Sequence, residues 1–212
     1  MRLIEGAREL FLPAACASCR SAPAAGFGLC TGCDAELAAM RPVLAAPQAA
    51  SPPTVAAGPY AGALAEALNE YKERGRRELA PAFAALLARA LAVVASEVSG
   101  AVLVPIPSTG AARRARGFDH VAAACLGLGD LRPCLRARPR PDSVGLTPPE
   151  RALAARESLR AVPARAGALA ASGRSAILVD DIVTTGATLA AAAEALDASG
   201  VRVRAAIAIA AA

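Results

Sequence analysis

Residues 175–189 constrain this chain more than any other stretch. Ala176, Ile177, Leu178 and Val179 form a short aliphatic run, which reads as a strand buried on both faces, as in a parallel sheet. The run ends in Asp180 and Asp181, passes Ile182 and Val183, and enters a loop of Thr184, Thr185, Gly186, Ala187 and Thr188. Residues 189–198 are rich in alanine and leucine and predict a helix, with Gly200 placed to stop it. The order is strand, acidic pair, hydroxyl-rich loop, helix.

Each part suits a phosphorylated sugar. Backbone N–H groups of residues 184–188, at the positive end of a helix dipole, can cradle a phosphate. Gly186 permits close approach, and the hydroxyls of Thr184, Thr185 and Thr188 add donors. Asp180 and Asp181 fall at the carboxyl end of the strand, where open α/β sheets bind ligands. Two carboxylates repel a phosphate, so they are expected to accept the paired hydroxyls of a ribose. A divalent cation held mainly by the ligand would help them. The alternative is a threonine-capped helix start with surface aspartates.

Residues 179–188 resemble the 5-phosphoribosyl-1-pyrophosphate (PRPP) motif of type I phosphoribosyltransferases. The resemblance implies that the acidic pair holds the ribose hydroxyls and that the Thr/Gly loop holds the 5′-phosphate.

Nearer the N-terminus, Cys16 and Cys19 form one C-x-x-C pair, and Cys30 and Cys33 a second. Two such pairs in a protein expected to be cytoplasmic read as a closed four-thiolate structural zinc site rather than two disulfides. Two redox motifs are the minor alternative, because neither pair sits at a predicted strand-to-helix junction. Cys125 and Cys134 lack such a partner and are expected to be ordinary small residues.

Composition narrows the function classes. The 212 residues suffice for one α/β domain with an appendage. Although 55% of residues are hydrophobic, the most apolar stretches are broken by Glu97, Gly100 and Pro105, or by Arg202 and Arg204. No clean run of about 18 to 20 apolar residues remains, so no transmembrane helix is expected. No signal peptide is read at the N-terminus, hence the cytoplasmic expectation. The net charge of +5 suits anionic ligands without choosing among them. Only 3% of residues are aromatic, a poor stacking platform for single-stranded nucleic acid. Between the cysteine pairs Arg20 is the single basic residue, so direct duplex binding there is disfavoured.

The rest of the chain divides into an N-terminal helix plus cysteine module over residues 1–41, a Pro/Ala/Ser-rich linker or irregular wrap over 42–59, and an α/β domain over 60–212. Leu3, Ile4, Ala7, Leu10 and Phe11 recur at helical spacing. Helices are predicted over 60–71 and 78–96, joined by a basic cluster from Lys72 to Arg77. That cluster reads equally as a pyrophosphate contact and as a solvated turn. Residues 101–107 predict a second buried strand, followed by Ser108, Thr109 and Gly110, then Arg113, Arg114 and Arg116. A helix over 119–128 follows, and its His120 is expected to be solvated or capping. Residues 134–138 and 158–162 predict short strands, 142–149 a lid-like loop, 151–157 and 164–173 helical segments, and 201–209 a strand near the sheet centre.

Taken together, the chain resembles the ComF family of phosphoribosyltransferase-like proteins. The matching features are the paired C-x-x-C module, Tyr60 with Tyr71, Lys72 and Gly75, the Val104-to-Pro107 segment with Arg116, Gly117 and Phe118, and the PRPP-type motif. The resemblance implies a type I phosphoribosyltransferase-like parallel sheet flanked by helices, with a small N-terminal zinc module. It implies a pyrophosphate loop of Pro107, Ser108, Thr109 and Gly110 with Lys72, and catalytic roles for Asp180, Asp181, Arg113 and Arg116. It further implies Mg²⁺ with PRPP, structural Zn²⁺, an undefined nitrogen acceptor, and protein partners in competence and DNA uptake. Asp119 and His120 stand where the family often has Asn-Gln, and Ala154 where an asparagine is expected. These departures favour the alternative of a non-catalytic nucleotide-sensing adaptor that docks its partners through the zinc module.

Overall fold

A computed structural model of the chain describes residues 15–46, 50–138 and 147–212. The amphipathic segment read near Leu3 and most of the lid-like loop, residues 142–146, lie outside the described residues.

The central element is the strand expected from the aliphatic run. It spans Ala176–Val183 (β6) and pairs in parallel with Val203–Ala211 (β7) on one side and Val102–Pro105 (β3) on the other. Beyond β7 lie Thr54–Ala56 (β2), parallel to it, and Val43–Ala45 (β1), antiparallel to β2. The sheet order is therefore β1-β2-β7-β6-β3, a mostly parallel sheet that needs helical cover on both faces.

Strand periodicity supplies both faces. Ile177 and Val179 of β6, with Ile207 and Ile209 of β7, point into one core with Leu64, Leu68, Phe83 and Leu87. Ala176, Leu178, Ala206 and Ala208 point into the other, with Leu169, Leu189, Ala192 and Leu196. The first layer belongs to helices Gly62–Glu73 (α2) and Ala80–Val94 (α3), the second to Pro163–Ala171 (α7) and Ala187–Asp197 (α8). Each buried leucine or isoleucine contributes roughly 1.5–3 kcal/mol. Pro81, at the start of α3, occupies the first turn, where its missing N–H costs nothing.

The cysteine segment is continuous with the first core. Helix Thr31–Ala39 (α1) follows the second cysteine pair. Cys16, Leu29, Cys33 and Leu37 are buried together with Tyr71, Phe83 and Leu86. Arginines fasten it: Arg20 Nη2 donates to Glu70 Oε1 at 2.9 Å, and Arg76 Nη1 donates to the Ala15 carbonyl at 2.9 Å. Arg89 donates to the Leu37 and Met40 carbonyls at 2.7 and 3.0 Å, at the end of α1.

Two regions differ from the sequence reading. Residues 42–59 contribute β1 and β2, where a linker or irregular wrap was expected. Each strand has only three residues, too few for periodicity to register, and the flanking prolines suit a strand near the sheet edge. The predicted helix over 119–128 shortens to His120–Ala124 (α5), because the chain turns into positive φ at Gly127 and Gly129. The remaining elements are helix Gly110–Arg116 (α4), helix Pro148–Ser158 (α6), and a separate antiparallel pair, Leu135–Ala137 (β4) with Leu159–Ala161 (β5). No described helix is long and apolar enough to cross a membrane.

Arg89→Ala should lower unfolding stability by about 1–2 kcal/mol in urea denaturation, since it leaves carbonyls at the end of α1 unpaired. An unchanged midpoint would mean that this arginine does not fasten the cysteine segment.

Candidate active site and cysteine cluster

The carboxyl ends of β6 and β3 open into a cleft of about 420 Å³. From β6, the loop after it and the first turn of α8 come Asp180, Asp181, Ile182, Thr184 and Thr188; from the loop after β3 come Pro107, Ser108 and Thr109. Arg116 enters from α4, His120 from α5 and Lys72 from the end of α2. Ala137, Arg138, Ser158 and Leu159, on or beside β4 and β5, form the opposite lip. Five segments far apart in sequence thus bring polar side chains to one place.

Several candidate residues support the cleft rather than line it. Val183 is buried in the second core. Thr185, Gly186 and Ala187 build the turn into α8: Gly186 takes φ 75° at the N-cap, and the Ala187 N–H points to Thr185 Oγ1 at 3.5 Å. An L side chain at Gly186 would strain that turn. Gly110 begins α4, whose first turn is capped by Thr109 Oγ1 accepting from the Ala112 N–H at 3.2 Å. Arg113 stands exposed on α4, outside the cleft lining. Gly75 has φ 66°, and a Cβ there would lie 3.4 Å from the Arg116 carbonyl oxygen. That close approach brings Arg116 to α2, where its Nε donates to the Lys72 carbonyl.

At the floor of the cleft, Asp181 Oδ2 accepts from Lys72 Nζ at 2.7 Å and lies 2.5 Å from His120 Nε2. Its Oδ1 accepts from the Ile182 N–H at 2.6 Å. Asp180 Oδ1 accepts from the Asp181 N–H at 2.8 Å. Both aspartates are more than nine-tenths buried. Burial and then the adjacent negative charge of Asp181 push the Asp180 carboxyl well above the ordinary carboxylate range. For Asp181 burial acts in the same direction, but the His120 hydrogen bond and the Lys72 charge outweigh it and hold the carboxyl below that range. Burial disfavours the charge of Lys72, yet Asp181 outweighs it and raises the ammonium above its ordinary value. The acidic pair is therefore asymmetric, with Asp181 carrying the charge.

Sequence reasoning missed His120. It is buried rather than solvated, and Asp119 performs the capping, with its Oδ1 accepting from the Ala122 N–H at 3.3 Å. His120 Nδ1 lies 3.0 Å from both Ser108 Oγ and Arg116 Nη1. The Tyr71 hydroxyl donates to the His120 carbonyl at 2.8 Å, and Asp119 Oδ2 accepts from the Ser108 N–H at 3.1 Å. The available signals were a lone histidine three residues after Gly117 and a tyrosine beside Lys72.

The four cysteines of the N-terminal segment converge, with every Sγ within 4.8 Å of the others and Cys19 and Cys30 sulfurs 3.8 Å apart. Zn–S bonds of about 2.3 Å place tetrahedral sulfurs about 3.8 Å apart, so the donor set fits a zinc ion. Hydrogen bonds from the Ser21 side chain and then its backbone lower the Cys19 thiol to about 6. Against the hydrogen bond of Ser18, burial and the neighbouring thiols push Cys33 up to about 12. A cation among the sulfurs would relieve that crowding.

Residues 146–212, about the last third of the chain, match the family model described as Phosphoribosyl transferase domain. That stretch is phosphoribosyltransferase-like. The match covers the acidic pair, the Thr/Gly loop and α8, while Lys72, Ser108, Arg116, His120 and the cysteines lie before it. No curated protein matches the chain.

The asymmetric pair predicts opposite effects of two similar substitutions. The folded value of Asp181 lies below its unfolded value near 4, so its stabilisation is present above that pH and lost as pH falls. Asp180 has a raised folded value, so its favourable contribution is full at low pH and lost as pH rises. At pH 7, Asp181→Asn should cost about 2 kcal/mol, whereas Asp180→Asn should melt at or above the unaltered protein. Thermal melts from pH 4 to 8 should show the advantage of Asp180→Asn growing with pH; a shrinking advantage would reverse the assignment.

Proposed function

We propose that the cleft binds PRPP with Mg²⁺ and transfers its phosphoribosyl group to a nitrogen acceptor. The observation that carries this reading is the convergence of the acidic pair and Thr/Gly loop with Ser108, Lys72 and Arg116 in one cavity. The 5′-phosphate would take the backbone N–H groups of residues 184–188 at the start of α8, supported by Thr184 and Thr188. The ribose hydroxyls would donate to Asp180 and Asp181. As they reach Asp181, Lys72 can exchange that carboxylate for the diphosphate, joining Arg116 and Ser108 in charge-assisted hydrogen bonds. Mg²⁺, bound mainly by ligand oxygens, would neutralise the diphosphate further.

The chemistry follows from this arrangement. The C1–O bond breaks with its electron pair leaving on pyrophosphate, C1 gains positive character, and the acceptor nitrogen forms the new bond and sheds its proton. The chain's part is positioning and charge stabilisation. Arg116 faces the departing diphosphate; Arg113, outside the lining, would act only through the long-range field. The residues of 142–149 retain their proposed role as a water-excluding lid.

The cysteine cluster is proposed to hold one structural zinc ion, bound by Cys16, Cys19, Cys30 and Cys33. The competence and DNA-uptake setting, with its protein partners and cytoplasmic location, is carried by the ComF resemblance. So is the alternative of a nucleotide-sensing adaptor.

Calorimetric titration with PRPP and Mg²⁺ separates these readings. Micromolar binding that weakens at least about tenfold in the double variant Asp180→Asn, Asp181→Asn is expected. Turnover with a nitrogen acceptor would then favour the enzyme, and binding without turnover the adaptor. Unchanged affinity in the double variant would remove the ribose assignment. Metal analysis should find one zinc per chain, lost on Cys30→Ser; a metal-free, fully folded protein would exclude the zinc site.

A further inference from the structure

We infer that His120 is a positioning residue that joins the two halves of the cleft, holding Asp181 for the sugar through Nε2 and holding Ser108 and Arg116 for the diphosphate through Nδ1. This rests on the function proposed above and assigns a residue that the family match does not reach.

The hydrogen-bond partners fix the state of the ring. Arg116 can only donate, so Nδ1, 3.0 Å from its Nη1, must accept. The proton then sits on Nε2, which donates to the Asp181 carboxylate at 2.5 Å. The Ser108 hydroxyl, 3.0 Å from Nδ1, donates to the same nitrogen. A proton on Nδ1 would turn an N–H against the guanidinium, so the arrangement with Nε2–H toward Asp181 and the Nδ1 lone pair toward Arg116 and Ser108 is the one the partners fit. The other charged groups nearby are engaged with neighbours: Lys72 with Asp181 Oδ2, and Asp119 with the Ser108 and Ala122 N–H groups.

The ring is also fixed in orientation. Rotating it by half a turn would put carbon atoms against Asp181, Ser108 and Arg116, losing each contact. The Tyr71 ring lies edge-on at 6.1 Å, and its hydroxyl grips the His120 backbone. His120 is 7% exposed, so water cannot replace the missing partners cheaply. One imidazole therefore spans the gap between the β3 loop and the end of β6, setting both anion-binding and hydroxyl-binding groups in place before a ligand arrives.

Two amide variants separate the ring's two functions. The amide nitrogen of glutamine reproduces the Nε2–H donor and omits Nδ1. The amide oxygen of asparagine reproduces the Nδ1 acceptor and omits Nε2. Calorimetry on the full chain, with ribose 5-phosphate and with magnesium pyrophosphate, reads each half separately. His120→Gln should weaken pyrophosphate about tenfold and leave ribose 5-phosphate within about twofold; His120→Asn should do the reverse. A residue that merely fills space would lower both affinities together, or neither. Parallel losses, or no loss, would overturn the inference. If one variant fails to fold, the ratio of the two affinities in the other still decides. Failure of the unaltered protein to bind either ligand would instead reject the proposed function and, with it, this role.

Discussion

The carboxylate of Asp181 is the interaction on which the cleft depends. It lies at the carboxyl end of β6 and accepts from Lys72 of α2 and His120 of α5. Three elements that meet nowhere else in sequence are thereby tied at one buried point. Removing a carboxylate from water is costly. Here that cost is offset by a nearby ammonium, an imidazole N–H and the Ile182 backbone N–H. Because the ammonium comes from a helix layered on the sheet, docking of α2 and formation of the site are one event.

The adjoining Asp180 has no such cation of its own. Its oxygen accepts the Asp181 N–H, and its surroundings favour the protonated form. Two neighbouring residues of one type therefore behave differently because only one faces donors from other elements. A ligand that brings hydroxyls and a divalent cation would alter this balance, since it supplies donors and positive charge beside Asp180, where Lys72 is engaged with Asp181. An acidic pair beside the Thr/Gly loop would thus respond to a ligand of the kind proposed.

How much of this was legible follows from the length scale of each signal. The aliphatic run, acidic pair and Thr/Gly loop lie within fifteen consecutive residues, and the strand, turn and helix they predict are all present. The two C-x-x-C pairs likewise announced the clustering of their sulfurs. By contrast, β1 and β2 are three residues each; β2 takes its meaning from pairing with β7, about 150 residues later, and β1 only from pairing with β2. His120 was misread for the same reason. Its neighbours in sequence suggest a helix start, while its contacts come from Asp181, 61 residues away, and from Ser108 and Arg116. Arg113 shows the converse: a basic residue close in sequence to Ser108, carried by helical geometry to the exposed side of α4.

Helix α2 extends the dependence from the cleft to the cysteine segment. Glu70, buried on this helix, receives Arg20 from the cysteine segment. The next two residues are Tyr71, which holds the His120 backbone, and Lys72, which holds Asp181. Arg76, just beyond, reaches back to the Ala15 carbonyl beside Cys16. One turn of helix therefore has the cysteine cluster on one side and the floor of the cleft on the other, with Tyr71 packed between Phe83 and Phe118 as a rigid link. A cation among the four sulfurs would stiffen the segment that anchors Glu70 and thereby steady the placement of Lys72. The cluster thus bears on the cleft through packing, and none of its thiols lines that cleft.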